Sequence, residues 1–412
     1  MAELHPFSAI LFQPETGSDV TPFVAPPYDV IDSTVEAELR DRHPRNVVRL
    51  TLPEASSGGD HYQEAARLFE NWLQSGVLRL LEKPALYLWE QEFSLEDTTY
   101  IRRALVAKVA CESYRPGGVM RHEHTHAGPK ADRLKLFQAT GAQFSQMFGI
   151  FEGDEELAAR LAAAGNQEPL QTARGDDGHH SRLFGITDEE TISALQSSLQ
   201  GRTITIADGH HRYETSVAYY QELGRTGSTL MTLVPSSDAG LVVLPTHRTV
   251  SFPIDSQALC QALSGEFSVE AHPLENWPRL YQESAGNPES GIILAAAPAA
   301  DRVFQIGWQE GNSSAARPGG PGRERGDVVV LHERILPHLI GVDRLDTATF
   351  GYFHDAEDAV EAAKATGQCA FLLRPTSIRA LLDAAEHQEV LPAKSTYFYP
   401  KFLAGFINAW LD

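Results

Sequence analysis

Apolar residues along the chain recur at helical spacing in some stretches and in short β-branched or aromatic runs in others, which predicts mixed α/β structure. The stretch DHYQEAARLFENWLQSGVL predicts a helix with Tyr62, Ala66, Phe69 and Leu73 on one face, ended by Gly76. Residues 84–95 and 100–111 read as two strands joined by the polar EDTT, a β-hairpin. A second αβ region begins near residue 251, where GIILAAAP and RVFQIGW read as paired strands. The next stretch, EGNSSAARPGGPGRERGD, has the composition of a loop. The stretch from Cys369 to Lys401 reads as strand, helix and polar terminal loop. No long repeat or heptad pattern occurs. The expected division is an N-terminal αβ domain, 1–250, and a C-terminal αβ domain, 251–412, which contributes the polar terminal loop.

One four-residue string, Asp-Gly-His-His, occurs twice, at 177–180 and 208–211. Before the downstream copy, TITIA alternates as a strand; after it, RYETSVAYYQELG puts Tyr213, Val217 and Tyr220 on one helical face and stops at Gly224. The copy therefore sits at a strand-to-helix turn. Such a turn presents backbone N–H groups and the positive end of a helix dipole, and a glycine lets a ligand approach the backbone. Arg212 adds a fork-shaped cation. The plain alternative makes Asp208 a helix cap and the histidines packing groups. The upstream copy, inside TARGDDGHHSRLFGITD, lacks both a preceding strand signal and a helix after it, so it reads as a structural loop.

Charge narrows the partners. Thirty-four Lys and Arg against 55 Asp and Glu give a formal net charge of −21, which disfavours general nucleic-acid binding. No apolar run is long enough for a bilayer, and the start lacks the basic flank of a signal peptide, so a cytoplasmic location without membrane contact is expected. Cys111, Cys260 and Cys369 are scattered and read as core thiols.

Polar loops supply the other candidates. PPYDVI presents Tyr28 and Asp29 behind two prolines. GPKADRLKL offers Lys130, Asp132 and Arg133, PTHR offers His247 and Arg248, and AKSTYFYPK offers Lys394, Ser395, Thr396 and Lys401. Each also reads as an ordinary turn, helix start or surface stretch. HEHTH at 122–126 satisfies the HExxH zinc pattern, but Gly117, Gly118, Gly128 and Pro129 crowd out the helix that this spacing needs.

APPYDVI, RHEHT, KADRLKL, IADGHHRYET, LPTHR and PAKSTYFYPK together resemble a prokaryotic family catalogued as a domain of unknown function, with marks spread over nearly the whole chain. In that family the recurrent part of the second mark is Arg121, His122 and Glu123, which leaves His126 incidental. The short element DGHHR is similar to the phosphate-contacting motif of the ParB/sulfiredoxin superfamily, whose members include DNA-partitioning nucleotide-binding proteins, a thiol-repair enzyme and free-serine kinases. This similarity implies an α/β (α+β) fold with a ParB/sulfiredoxin-like mixed-sheet core, and phosphoryl transfer from a nucleotide or other donor to a small hydroxyl compound such as serine. On that reading Glu123, Asp208 and His210 are catalytic, and Asp208 and Glu123 hold Mg²⁺. Gly209, His211 and Arg212 grip phosphate, with Arg121, His122, Lys130, Lys394, Ser395 and Lys401 as further contacts. Tyr28, Asp29, His247 and Arg248 meet the small-molecule substrate. A nucleotide sensor without turnover and a zinc hydrolase stay open as alternatives. Neither a Walker sequence nor a kinase glycine loop is present. Oligomeric state is not readable from the chain.

Overall fold

The alternation in residues 84–111 becomes the longest hairpin of a computed structural model that describes residues 3–54, 60–123, 127–251, 256–287, 291–309, 326–345 and 348–411. Strands of the two large sheets, and helices of eight residues or more, are labelled here in chain order. The described residues group into two compact units. The first takes residues up to 121, 125–242 and those from 400 on; the second takes 122–124 and 243–399.

In the first unit the strands are β1 (Leu4–His5), β2 (Leu86–Leu95), β3 (Thr98–Cys111), β4 (Val119–Met120), β5 (Met147–Phe151), β6 (Gln171–Arg174), β7 (His180–Ile186), β8 (Ile204–Asp208) and β9 (Gly227–Pro235). They form one mixed sheet in the order β4-β8-β5-β9-β3-β2-β7-β6, with β1 paired to β3. The β4/β8 and β5/β9 pairs are parallel and the rest antiparallel. The helices are α1 (Ser33–Arg42), α2 (His61–Gln74), α3 (Ala127–Thr140), α4 (Glu155–Ala164), α5 (Glu189–Leu199) and α6 (His210–Glu222). Helix α2 forms as its periodicity predicts, except that its buried stripe is Ala65, Ala66, Phe69 and Trp72. Trp72 outcompetes Leu73 because it has more apolar surface to bury, and it packs on Phe12 at 5.8 Å.

The second unit holds β10 (His247–Val250), β11 (Phe267–Pro273), β12 (Ile293–Ala297), β13 (Arg302–Trp308), β14 (Phe350–Phe353) and β15 (Cys369–Leu372). Every pairing in its sheet, ordered β11-β13-β12-β15-β10-β14, is antiparallel. Its helices are α7 (Ser256–Leu263), α8 (Trp277–Ala285), α9 (Ala356–Thr366) and α10 (Ile378–Glu386). The unbroken apolar run of β12 is explained by cover on both faces. Ile293, Ala295 and Ala297 pack with Leu259 and Leu263, whereas Leu294 and Ala296 pack with Leu280 and Val360. The glycine-rich stretch 310–325 lies outside the described residues. Cys111 and Cys369 are buried, as core thiols should be, and Cys260 is half-buried. Among the described residues no helix is long and apolar enough to cross a membrane.

Candidate functional site

Strand β8 buries Ile204, Thr205, Ile206 and Ala207, and its pairing with β5 slips between Ile206 and Asp208. The ladder resumes for one pair, Asp208 with Phe148, and Asp208 is the last residue of the strand. Gly209 comes next at φ 89°, the left-handed region that glycine enters at little cost, and turns the chain into α6. Helices α1, α2, α4 and α5 begin under the side chains of Asp32, Asp60, Asp154 and Asp188, which accept backbone N–H bonds. Helix α6 has no such side-chain cap. Its first turn therefore keeps the dipole and donor geometry of an anion seat.

Asp208 is held from two sides. Its Oδ2 accepts from an Arg212 terminal nitrogen at 3.0 Å and its Oδ1 from Lys401 Nζ at 3.3 Å. Burial raises the carboxyl's pKa, but Lys401, then Arg212, then His210 outweigh it and hold the group well below the usual carboxylate range. Arg212 is almost fully buried. Its other terminal nitrogen donates to Ser145 Oγ at 2.6 Å and to the Gln146 carbonyl. Both terminal nitrogens therefore have protein partners, so Arg212 locks the turn rather than standing open as a clamp. A β-carbon at residue 209 would meet the Arg212 guanidinium at 3.0 Å.

Lys401 reaches Asp208 because Arg102 fixes the preceding residue. Arg102, on β3, is fully buried. It donates to Gln91 Oε1 and to the Pro400 carbonyl and lies 4.4 Å from the Phe402 ring centre. Desolvation pushes its pKa down to about 9. The pattern contained a signal for it, a charged residue in the inward phase of an apolar strand.

Two further expected cations, Arg121 and Lys130, converge on Glu214 of α6. Lys130 Nζ donates to Oε2 at 2.7 Å, Arg121 approaches Oε1 to 3.6 Å, and the Tyr114 hydroxyl donates to Oε1 at 3.3 Å. Arg121 comes just after β4, which runs parallel to β8, so both lead out at the same margin of the sheet. Motif reading passes over Glu214, which looks like a solvated helix position. Tyr28 is half-buried under the Arg133 guanidinium at 4.3 Å, with Asp29 exposed beside it; burial raises the phenol's pKa and Arg212 partly offsets this. Arg133 in turn pairs with Asp132, which accepts from the Tyr62 hydroxyl at 2.7 Å.

In the second unit, several expected contact residues are buried. His247 and Arg248 are 1% and 0% exposed, so neither meets substrate as placed. The backbone N–H of Leu373 donates to His247 Nδ1, and Arg248 donates to the carbonyls of Thr246, Ala393 and Lys394, tying the polar terminal loop to the sheet. Ser395 is buried, its hydroxyl turned to the Pro392 carbonyl. Lys394 is exposed with φ 57°. His122 is also buried, its Nε2 within 3.0 Å of Thr396 Oγ1. Glu123 pairs as an isolated parallel bridge with Leu391, so it is extended rather than helical, contrary to what a zinc helix requires. His124 and His126 lie outside the described residues.

Among the described residues no group of three or more His, Cys, Asp or Glu is placed to hold a metal. Asp208 does not fit a divalent ion as it stands, since each of its oxygens already faces a protein cation.

The upstream copy, expected to lack a preceding strand, has one. It forms the turn between β6 and β7, with Gly178 at φ 85° and Asp177 bonded to His179 Nδ1. It does not start a helix, and its reading as a structural loop holds.

No curated protein matches the chain. Solved structures that match the chain include a free serine kinase variant in complex with ADP, at 13% identity over 68% of this chain and 83% of that one, with a TM-score of 0.36. SbnI with a C-terminal truncation, from Staphylococcus aureus, shares 9% identity over 69% of this chain and 82% of its own, at TM-score 0.37. A conserved hypothetical protein from Pyrococcus furiosus shares 16% over 69% and 88%, at TM-score 0.34. A model of the family described as proteins of unknown function, DUF1015, matches residues 4–323, and the chain belongs to that family.

Proposed function

We propose that the β8–α6 turn receives the phosphate of a nucleotide or other phosphate donor, and that the protein passes the phosphoryl group to a small hydroxyl compound, free serine being the acceptor suggested by the DGHHR similarity. The observation that carries this reading is the glycine-initiated, uncapped start of α6 beside a carboxylate matched by two cations. Asp208 alone would repel an anion. With Arg212 and Lys401 against it the local balance becomes positive, and the helix start adds its own field.

The same geometry divides the roles. Asp208, held ionised by its partners, is a poor proton acceptor at neutral pH and serves to fix Lys401. His210, in the first turn of α6, is then the proposed acceptor of the hydroxyl proton. In the transfer the hydroxyl oxygen bonds to phosphorus, the bond to the donor's leaving oxygen breaks, and the proton passes to that base. Mg²⁺ would arrive on the donor's phosphates. Gly209, His211 and Lys401 are the proposed phosphate contacts, and Tyr28 and Asp29 the acceptor contacts.

Calorimetric titration with ATP, ADP and AMP, on the full chain and on Lys401→Gln and His211→Ala, tests the binding. Each variant should weaken it about tenfold, the effect of one lost charge-assisted contact. Phosphorus NMR with ATP and serine should then show a new phosphomonoester. Nucleotide binding without that signal would favour the sensor reading, and wild-type protein that binds no nucleotide would overturn the proposal.

A further inference from the structure

We propose that Glu214 is a specificity-determining residue: its carboxylate occupies the position of a ligand phosphate and makes the turn select a polyphosphate over a monophosphate. This rests on the phosphate-binding reading above. Glu214 lies four residues after His210 on α6, and long helical side chains lean toward the N-terminus, which directs its carboxylate toward the first turn of that helix. It is only 16% exposed and takes donors from three separate parts of the first unit: Lys130 on α3, Arg121 after β4, and the Tyr114 hydroxyl. Tyr114 is itself fixed, stacked on Tyr213 at 5.4 Å with the Arg121 guanidinium 5.4 Å from its ring centre.

A lysine, an arginine and a phenol converging on one anionic group form a donor set suited to phosphate. Two cations less one carboxylate leave a single net positive charge. A monophosphate anchored at the turn gains little by displacing a carboxylate already in place. A diphosphate or triphosphate anchored there brings a second anionic group of higher charge to the same three donors, and Glu214 then gives way to solvent.

The test uses inorganic phosphate and pyrophosphate, titrated calorimetrically into the full chain. Wild type should bind pyrophosphate about 100-fold more tightly, the sum of two charged contacts of about tenfold each. Glu214→Gln should strengthen phosphate binding about tenfold and narrow that gap. Lys130→Gln, at a position 35% exposed, should weaken pyrophosphate about tenfold and change phosphate less than about twofold. If Glu214→Gln leaves phosphate unchanged or weaker while Lys401→Gln still weakens both anions, the role of Glu214 falls and the turn reading stands. Neither anion binding to wild type or to Glu214→Gln would overturn both. Should Glu214→Gln fail to fold, Lys130→Gln decides alone, and equal effects on the two anions would reject the proposal.

Discussion

The two Asp-Gly-His-His copies have almost the same backbone at their glycine, φ 85° at Gly178 and 89° at Gly209, yet one closes a hairpin and the other opens a helix. The residues C-terminal to each copy make the difference. SRLFGI continues as a strand paired with β2, whereas RYETSVAYYQE packs Tyr213 and Tyr220 under a helix. The partners of the aspartate then diverge. Asp177 turns back on His179 two residues away, while Asp208 binds Arg212 within its own turn and Lys401 193 residues on. A left-handed glycine makes a turn; only its neighbours in space make it a candidate site.

The strongest challenge to this contrast is charge removal. Asp208→Asn strands two largely buried cations and should cost about 2–4 kcal/mol, while Asp177→Asn, at a position 34% exposed, should cost about 1 kcal/mol or less. Urea unfolding of both variants measures it, and equal losses would erase the distinction.

Acid gives the next largest effect. In the second unit, burial pushes His247 down to about 4 and His332 down to about 3. A histidine whose folded pKa lies below its unfolded value of about 6.5 contributes stability that is full above that value and lost as pH falls toward the folded one. About 2–3 kcal/mol should therefore disappear between pH 6.5 and 4, after allowance for solvent relaxation. Both turn aspartates are also shifted down, Asp177 with His179 as its partner, but from the carboxylate range, so their contributions persist through that window and fade only as the pH falls below that range. Urea midpoints measured across pH, with His332→Phe alongside, assign the loss; a variant as acid-sensitive as wild type would remove His332 from this account.

A smaller effect separates the glycines themselves. Alanine at either position must adopt a left-handed backbone at about 1–2 kcal/mol, but only at 209 does the new carbon press on Arg212, with nothing within 4 Å at 178. Gly209→Ala should therefore be the worse by about 1 kcal/mol in the same assay. The subtlest contrast is in binding. His211→Ala should reduce nucleotide affinity about tenfold and its upstream counterpart His180→Ala less than about twofold.

Local periodicity made much of the fold legible. The helix at His61–Gln74, the hairpin of residues 86–111 and the β12/β13 pair all arise from patterns within a dozen residues. The strand–glycine–helix turn was legible for the same reason. Lys401 could be named as a cation but not placed, because its partner is far along the chain and no periodicity encodes that pairing. Glu214 and Arg102 were passed over because a charged residue on a helix or strand is ordinarily a solvated one, and only tertiary packing shows otherwise. His247 and Arg248 failed in the opposite sense. As polar residues after a proline they looked like loop chemistry, yet the sheet buries them and spends their donors on its own backbone.

The return of residues 400–411 to the first unit bears on how the protein is made. Every strand of the large sheet precedes residue 236, and a ribosome would release all of them long before Pro400 and Lys401 exist. Until then Arg102 and Asp208 lack the carbonyl and the ammonium that satisfy them, and closing so long a loop adds an entropic delay. The half-made unit exposes the greasy slot that Phe402 fills between Trp89 and Phe148. A nascent chain of this protein therefore carries an unfilled apolar slot until Phe402 emerges, and the β8–α6 turn lacks its Lys401 partner until the same point.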